Sequence, residues 1–142
     1  MKYLFIILFF IPLFAAAQPN CKTAPVEIFI VKAKESEKKI ARTKGRIMVV
    51  PVGDFDDSSL LYINDVLIFA RYLQTDPLFS HSHYSISVSK KAANGKALLK
   101  MWLWNKKICF TSPVNFKYPV LEIRYYDNKW ILTYTDRVVE LE

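Results

Sequence analysis

Leu121–Tyr134 reads LEIRYYDNKWILTY, and the alternation on either side of its centre decides the fold. Asp127 and Asn128 both tolerate the positive φ that a two-residue hairpin turn requires. Folding the chain back at that point sets Tyr125 across from Trp130, Ile123 from Leu132 and Leu121 from Tyr134. The reverse face then holds Glu122 with Thr133 and Arg124 with Ile131. One side is apolar and the other polar, the pattern of a half-buried antiparallel pair. A three-residue loop would carry Lys129 and Thr133 onto the apolar side, so polarity selects the two-residue register.

The same reasoning extends upstream. Asn94-Gly95 is the strongest short hairpin signal in the chain. It predicts that Tyr84–Lys91 folds onto Lys96–Asn105, with Val88 facing Met101 and Ile86 facing Leu103. On the other side Ser85 and Ser87 would stand across from Trp104 and Trp102, and Ser89 from Lys100. Lys107–Thr111 reads as a short strand carrying Cys109, ended by Ser112-Pro113. Val26–Val31, VEIFIV, has the β-branched and aromatic composition of a first strand, and a second contains IMVV and ends at Pro51 and Gly53. Lys32–Lys39 reads as a solvated turn and Asp54–Ser59 as an acidic polar loop. Leu60–Leu73 supports two readings. One is a hairpin turning at Asn64-Asp65 with Tyr62 facing Leu67. The other is a short helix with Val66, Phe69, Ala70 and Leu73 on one face. About seven or eight short strands and at most one helix predict an all-β domain, an antiparallel β-sandwich or small barrel built from hairpins.

The chain begins as a secretory leader does. Met1-Lys2 is positive, Tyr3–Phe14 is apolar, and Ala15-Ala16-Ala17 supplies the small residues of a cleavage site. The apolar run is about a dozen residues and contains Pro12, short of the roughly 20 needed to span a bilayer. Gln18 and Asn20 lack the residue types that lipid attachment at Cys21 would need. The expected organisation is a leader over residues 1–17 and a single β domain over 18–142, secreted or periplasmic, with no stable membrane insertion after cleavage. In that oxidising setting the two cysteines, Cys21 and Cys109, are expected to form a disulfide. The formal charge is +7 for the full chain. Outside the cytoplasm such a charge points away from nucleic acid and toward acidic lipids, glycans or proteins. The basic run from Lys32 to Arg46 also serves as decoration against sheet-edge aggregation.

No motif assigns a reaction. His81 and His83 point the same way in an extended chain, but they are the only histidines, and no zinc site is expected. Asp54, Asp56 and Ser58 have calcium-loop spacing, yet Ser59 stands where that loop turns on glycine. No nucleophile elbow and no phosphate-cradling glycine loop is present. The residues with most to offer are Trp102, Trp104 and Tyr84, as an aromatic platform or, in the other reading, as core. The expected function is a non-catalytic binding module for a protein or glycan partner, without metal or cofactor. The alternatives are a small inhibitor or immunity-type protein capping an enzyme outside the cytoplasm, and a small hydrolase.

Overall fold

The computed structural model describes residues 20–36, 39–41, 43–53, 55–75 and 84–137. The leader, Asp54, His81 and His83 lie outside them. The described residues form no helix. They form ten strands: β1 (Lys22–Thr23), β2 (Val26–Val31), β3 (Arg46–Pro51), β4 (Asp56–Ile63), β5 (Val66–Gln74), β6 (Ile86–Ser89), β7 (Leu98–Leu103), β8 (Ile108–Pro113), β9 (Val120–Tyr126) and β10 (Lys129–Thr135). Sheet I has the order β1-β8-β7-β4-β5, and sheet II the order β2-β10-β9-β3-β6. The two pack as a β-sandwich and do not close into a barrel.

The β9–β10 hairpin follows the register that side-chain polarity predicts, and of the two readings of Leu60–Leu73 the hairpin is the one formed. In β9–β10, Tyr125 pairs with Trp130, Ile123 with Leu132 and Leu121 with Tyr134. The turn residues Asp127 and Asn128 have φ of 51° and 59°. Leu60–Leu73 is a hairpin and not a helix: Tyr62 pairs with Leu67, and Asn64 and Asp65 have φ of 48° and 65°. Positive φ at both central residues gives a turn whose twist matches the flanking strands.

Three expectations are corrected. First, the sheets are mixed. β1 runs parallel to β8, β2 to β10 and β3 to β9, pairings between segments far apart in the chain. Second, Asn94-Gly95 makes a turn but not a hairpin. β6 pairs with β3, while β7 lies between β4 and β8, so the segment crosses from one sheet to the other. Each strand finds a better apolar partner there: Val88 beside Ile47, and Met101 between Leu61 and Phe110. The Asn64 side chain clamps the crossover. Its Nδ2 donates to the carbonyls of Ala93 (3.2 Å) and Lys96 (2.9 Å), and its Oδ1 accepts from the Leu98 N–H at 2.8 Å. Third, Asp56–Ser59 is strand and not loop, with Asp57 and Ser59 fully buried. The Asp57 carboxylate accepts the N–H groups of Asn105 (2.8 Å) and Lys106 (3.1 Å), holding the β7–β8 turn from inside.

The core lies between the sheets. Leu61, Leu99, Met101, Leu103 and Phe110 of sheet I meet Ile47, Val49, Leu121, Ile123, Trp130 and Leu132 of sheet II. Phe110 and Trp130 bring their ring centroids to 4.8 Å. The Cys21–Cys109 disulfide forms as expected, spanning a sequence separation of 88 residues and fastening the N-terminal segment to β8.

Candidate functional site

Alternation along β4 and β7 sends Leu61, Met101 and Leu103 into the core, and therefore sends Ser58, Leu60, Tyr62, Lys100, Trp102 and Trp104 to the outer face of sheet I. Leu60 pairs with Trp102 and Tyr62 with Lys100. One step further along, the Trp104 N–H donates to the Ser58 carbonyl at 2.9 Å. The tryptophans thus stand beside the β4 residues, not beside Ser85, Ser87 and Ser89. Those serines belong to the segment that pairs with β3 in the other sheet.

Trp102 and Trp104 lie two residues apart on one strand face, with ring centroids at 4.9 Å and planes tilted by 40°. They are not equivalent. Trp102 is 4% exposed, packed in the row of Leu60 and Cys109, whereas Trp104 is 47% exposed. Tyr84 is elsewhere. It precedes β6 and meets the Phe69 ring edge-on at 5.5 Å. The structure brings the two tryptophans together and leaves Tyr84 out.

A residue outside the sequence-based set takes its place. Tyr72 on β5 pairs with Ser58 on β4 and is 52% exposed. Trp104 and Tyr72 therefore flank Ser58 from the two neighbouring strands, about 10 Å apart by strand spacing. Ser58 keeps the floor between them low. The Tyr72 hydroxyl donates to Asp56 Oδ1 at 2.5 Å, and this bond to a carboxylate raises the Tyr72 pKa above its ordinary 10.0. Asp56 pairs in turn with Gln74. The result is a shallow trough with an exposed ring on each side and a hydroxyl, a carboxylate and an amide along its lower end. The sequence offered the Tyr62–Leu67 pairing as one of two readings, but the register shift at Leu61/Tyr62, which sets Tyr72 and not Arg71 across from Ser58, was not legible. Nor was the β4–β7 pairing that completes the trough, because the Asn94-Gly95 signal drew β7 to β6.

A second concavity, of 410 Å³, lies at the opposite end of the sandwich. Lys44, Lys90 and Lys117 line it with Asn115 and Phe116. None of these lysines forms an ion pair with a described carboxylate. Among the described residues no group of three or more His, Cys, Asp or Glu is placed to hold a metal ion. Comparison of the chain with protein-family models, with curated proteins and with solved structures returns no match.

Proposed function

We propose that this protein is a non-catalytic binding module that works outside the cytoplasm, secreted or periplasmic, and engages a glycan through the outer face of sheet I. The observation that carries this reading is the exposed pair Trp104 and Tyr72 on either side of the small Ser58. An aromatic ring offers a large apolar face at little entropic cost, and the C–H groups of a sugar ring stack on such a face. Asp56 and Gln74 supply the acceptor and donor that a sugar's hydroxyl groups require. Trp102 supports Trp104 from below and contributes by packing. The disulfide is compatible with an extracytoplasmic location, and the leader-like segment at residues 1–17 supports the same address.

The test is retention of the mature chain, residues 18–142, on a panel of immobilised polysaccharides, with Trp104→Ala and Tyr72→Ala run beside it. Retention of the parent on at least one polysaccharide, and its loss in both variants at unchanged melting temperature, supports the reading. Retention on none, with a protein captured from the same compartment whose enzymatic activity falls on mixing, replaces it with the inhibitor reading.

A further inference from the structure

Among the described residues the sandwich has four edge strands, and three of them carry a device that discourages pairing with another chain. β1 is two residues long and sits beside the disulfide. β6 is four residues long and runs into Lys90 and Lys91. β5 is long, but its register shifts at Leu61/Tyr62, and Arg71 occupies the row of the inward-facing Ser59. β2 is neither short nor shifted in register and carries no inward-facing charge; like β6 it runs into lysines, Lys32 and Lys34, but these lie beyond its six paired residues. All six of its residues pair with β10 without a shift, and between Val26 and Val31 there is no Pro, no Lys and no Arg. Its single charge, Glu27, is held by its own molecule through Lys129 Nζ at 2.8 Å. Among the described residues no strand pairs with its outer edge.

The exposed side chains of β2 are apolar on both faces. Ile28 and Ile30 pair with Leu132 and Tyr134, whose side chains enter the core, so both isoleucines point toward the inner side of sheet II. Yet they are 55% and 54% exposed, and Phe29 on the outer side is 48% exposed. The cause is in sheet I. Only Ala24-Pro25 separates β1 from β2, so β1 is the edge that faces β2, and two residues cannot cover six.

We propose that β2 pairs antiparallel with the β2 of a second copy of this chain, about a two-fold axis through Phe29. The strand is self-complementary at that centre. Ile28-Phe29-Ile30 reads the same in both directions, so the axis sets Phe29 against Phe29 of the partner on the outer face. On the inner face it sets Ile28 against the partner's Ile30. A two-fold axis perpendicular to the sheet requires opposed residues to lie on the same face, and a centre on one residue meets that condition. Glu27 then faces the partner's Val31, so no like charges are opposed. The pairing joins the two copies of sheet II into one continuous sheet and removes from water three apolar side chains on each side.

The test is the oligomeric state of the mature chain by light scattering across a dilution series, with cysteine cross-linking to fix the register. A dimer is expected. Phe29→Lys should render it monomeric without changing the far-ultraviolet circular dichroism, because Phe29 lies on the surface. Val66→Lys, on the edge strand β5, should leave the dimer intact. Phe29→Cys should give a covalent dimer under mild oxidation, since residues opposed in an antiparallel pair have Cα atoms about 4.5–5.5 Å apart, within disulfide reach. Glu27→Cys should not, since its two copies would stand about 13 Å apart along the strands. A parent protein that is monomeric at its highest soluble concentration overturns the proposal. So does a dimer that survives Phe29→Lys and cross-links through Val66→Cys instead.

Discussion

Asp57 shows how a single buried charge organises this fold. Its carboxylate is fully buried in β4 and accepts two N–H groups from the β7–β8 turn, with Lys106 Nζ at 3.9 Å. Hydrogen bonds to a charged acceptor contribute about 1.5–3 kcal/mol, and losing the acceptor leaves buried donors unpaired. Asp57→Ala is therefore expected to lower the unfolding free energy by about 2–4 kcal/mol in urea titration. A loss below about 0.5 kcal/mol, the range of ordinary surface changes, would show that the turn holds itself. Tyr134 makes a different prediction. Its hydroxyl accepts from the Asn115 N–H and donates to the Pro113 carbonyl, both at 3.2 Å, and burial raises its pKa above the ordinary 10.0. The folded state thus disfavours the phenolate. The stabilisation is complete below pH 10 and is lost as pH climbs from there toward the folded-state pKa. Tyr134→Phe should flatten that alkaline decline when melting temperature is followed from neutral to alkaline pH. The tryptophans divide in the same way. Trp102→Ala empties a packed position and should cost about 3–5 kcal/mol, whereas Trp104→Ala should leave the melting temperature close to the parent's.

At the scale of elements, local turn chemistry was legible and long-range pairing was not. Positive φ occurs at Asn64, Asp65, Asn94, Gly95, Asp127 and Asn128, at three turns marked by residue type, and also at Gly45, Gly53 and Lys107, the last with no residue-type signal. At Asp127-Asn128 polarity also fixed the partner, because one face of each flanking strand is apolar; at Asn64-Asp65 a helix stayed open. At Asn94-Gly95 polarity could not fix it. β7 carries Leu99, Met101 and Leu103 on one face and Leu98 and Trp102 on the other, so its pattern accepts several partners. The outcome rests on Asn64, which holds the crossover through three hydrogen bonds. Asn64→Ala removes them and should cost about 2 kcal/mol in thermal or urea unfolding, at about 1 kcal/mol for a typical hydrogen bond and more where a donor is left unpaired. An Asn64→Ala protein as stable as the parent would show that strand pairing alone directs the crossover. The trough was hidden for the same reason. Ser58 read as part of an acidic loop and Tyr72 as part of a segment open to hairpin or helix, and β7 was needed beside β4 to bring Trp104 to them.

Across the whole molecule, the disulfide and the charge distribution set the stability of the domain and what it attracts. Tying Cys21 to Cys109 across 88 residues removes about 4–5 kcal/mol of unfolded-state entropy in the chain model. Cys21→Ser with Cys109→Ser should lower unfolding free energy by about that amount, with β1 the first segment to lose amide-exchange protection. Basic residues gather at the end where Lys44, Lys90 and Lys117 surround their cleft, while the aromatic trough lies toward the opposite end of sheet I. The first attracts acidic molecules at long range and weakens as salt screens it. The second recognises by shape and stacking and should be nearly indifferent to salt. The most direct measurement is calorimetric titration of the mature chain with an oligosaccharide from whichever polysaccharide retains it. Saturable binding that persists at high salt and weakens at least tenfold in Trp104→Ala, a change of about 1.4 kcal/mol, is the expected result. Binding that Trp104→Ala leaves unchanged, or that high salt abolishes, would contradict a stacking site on the outer face of sheet I.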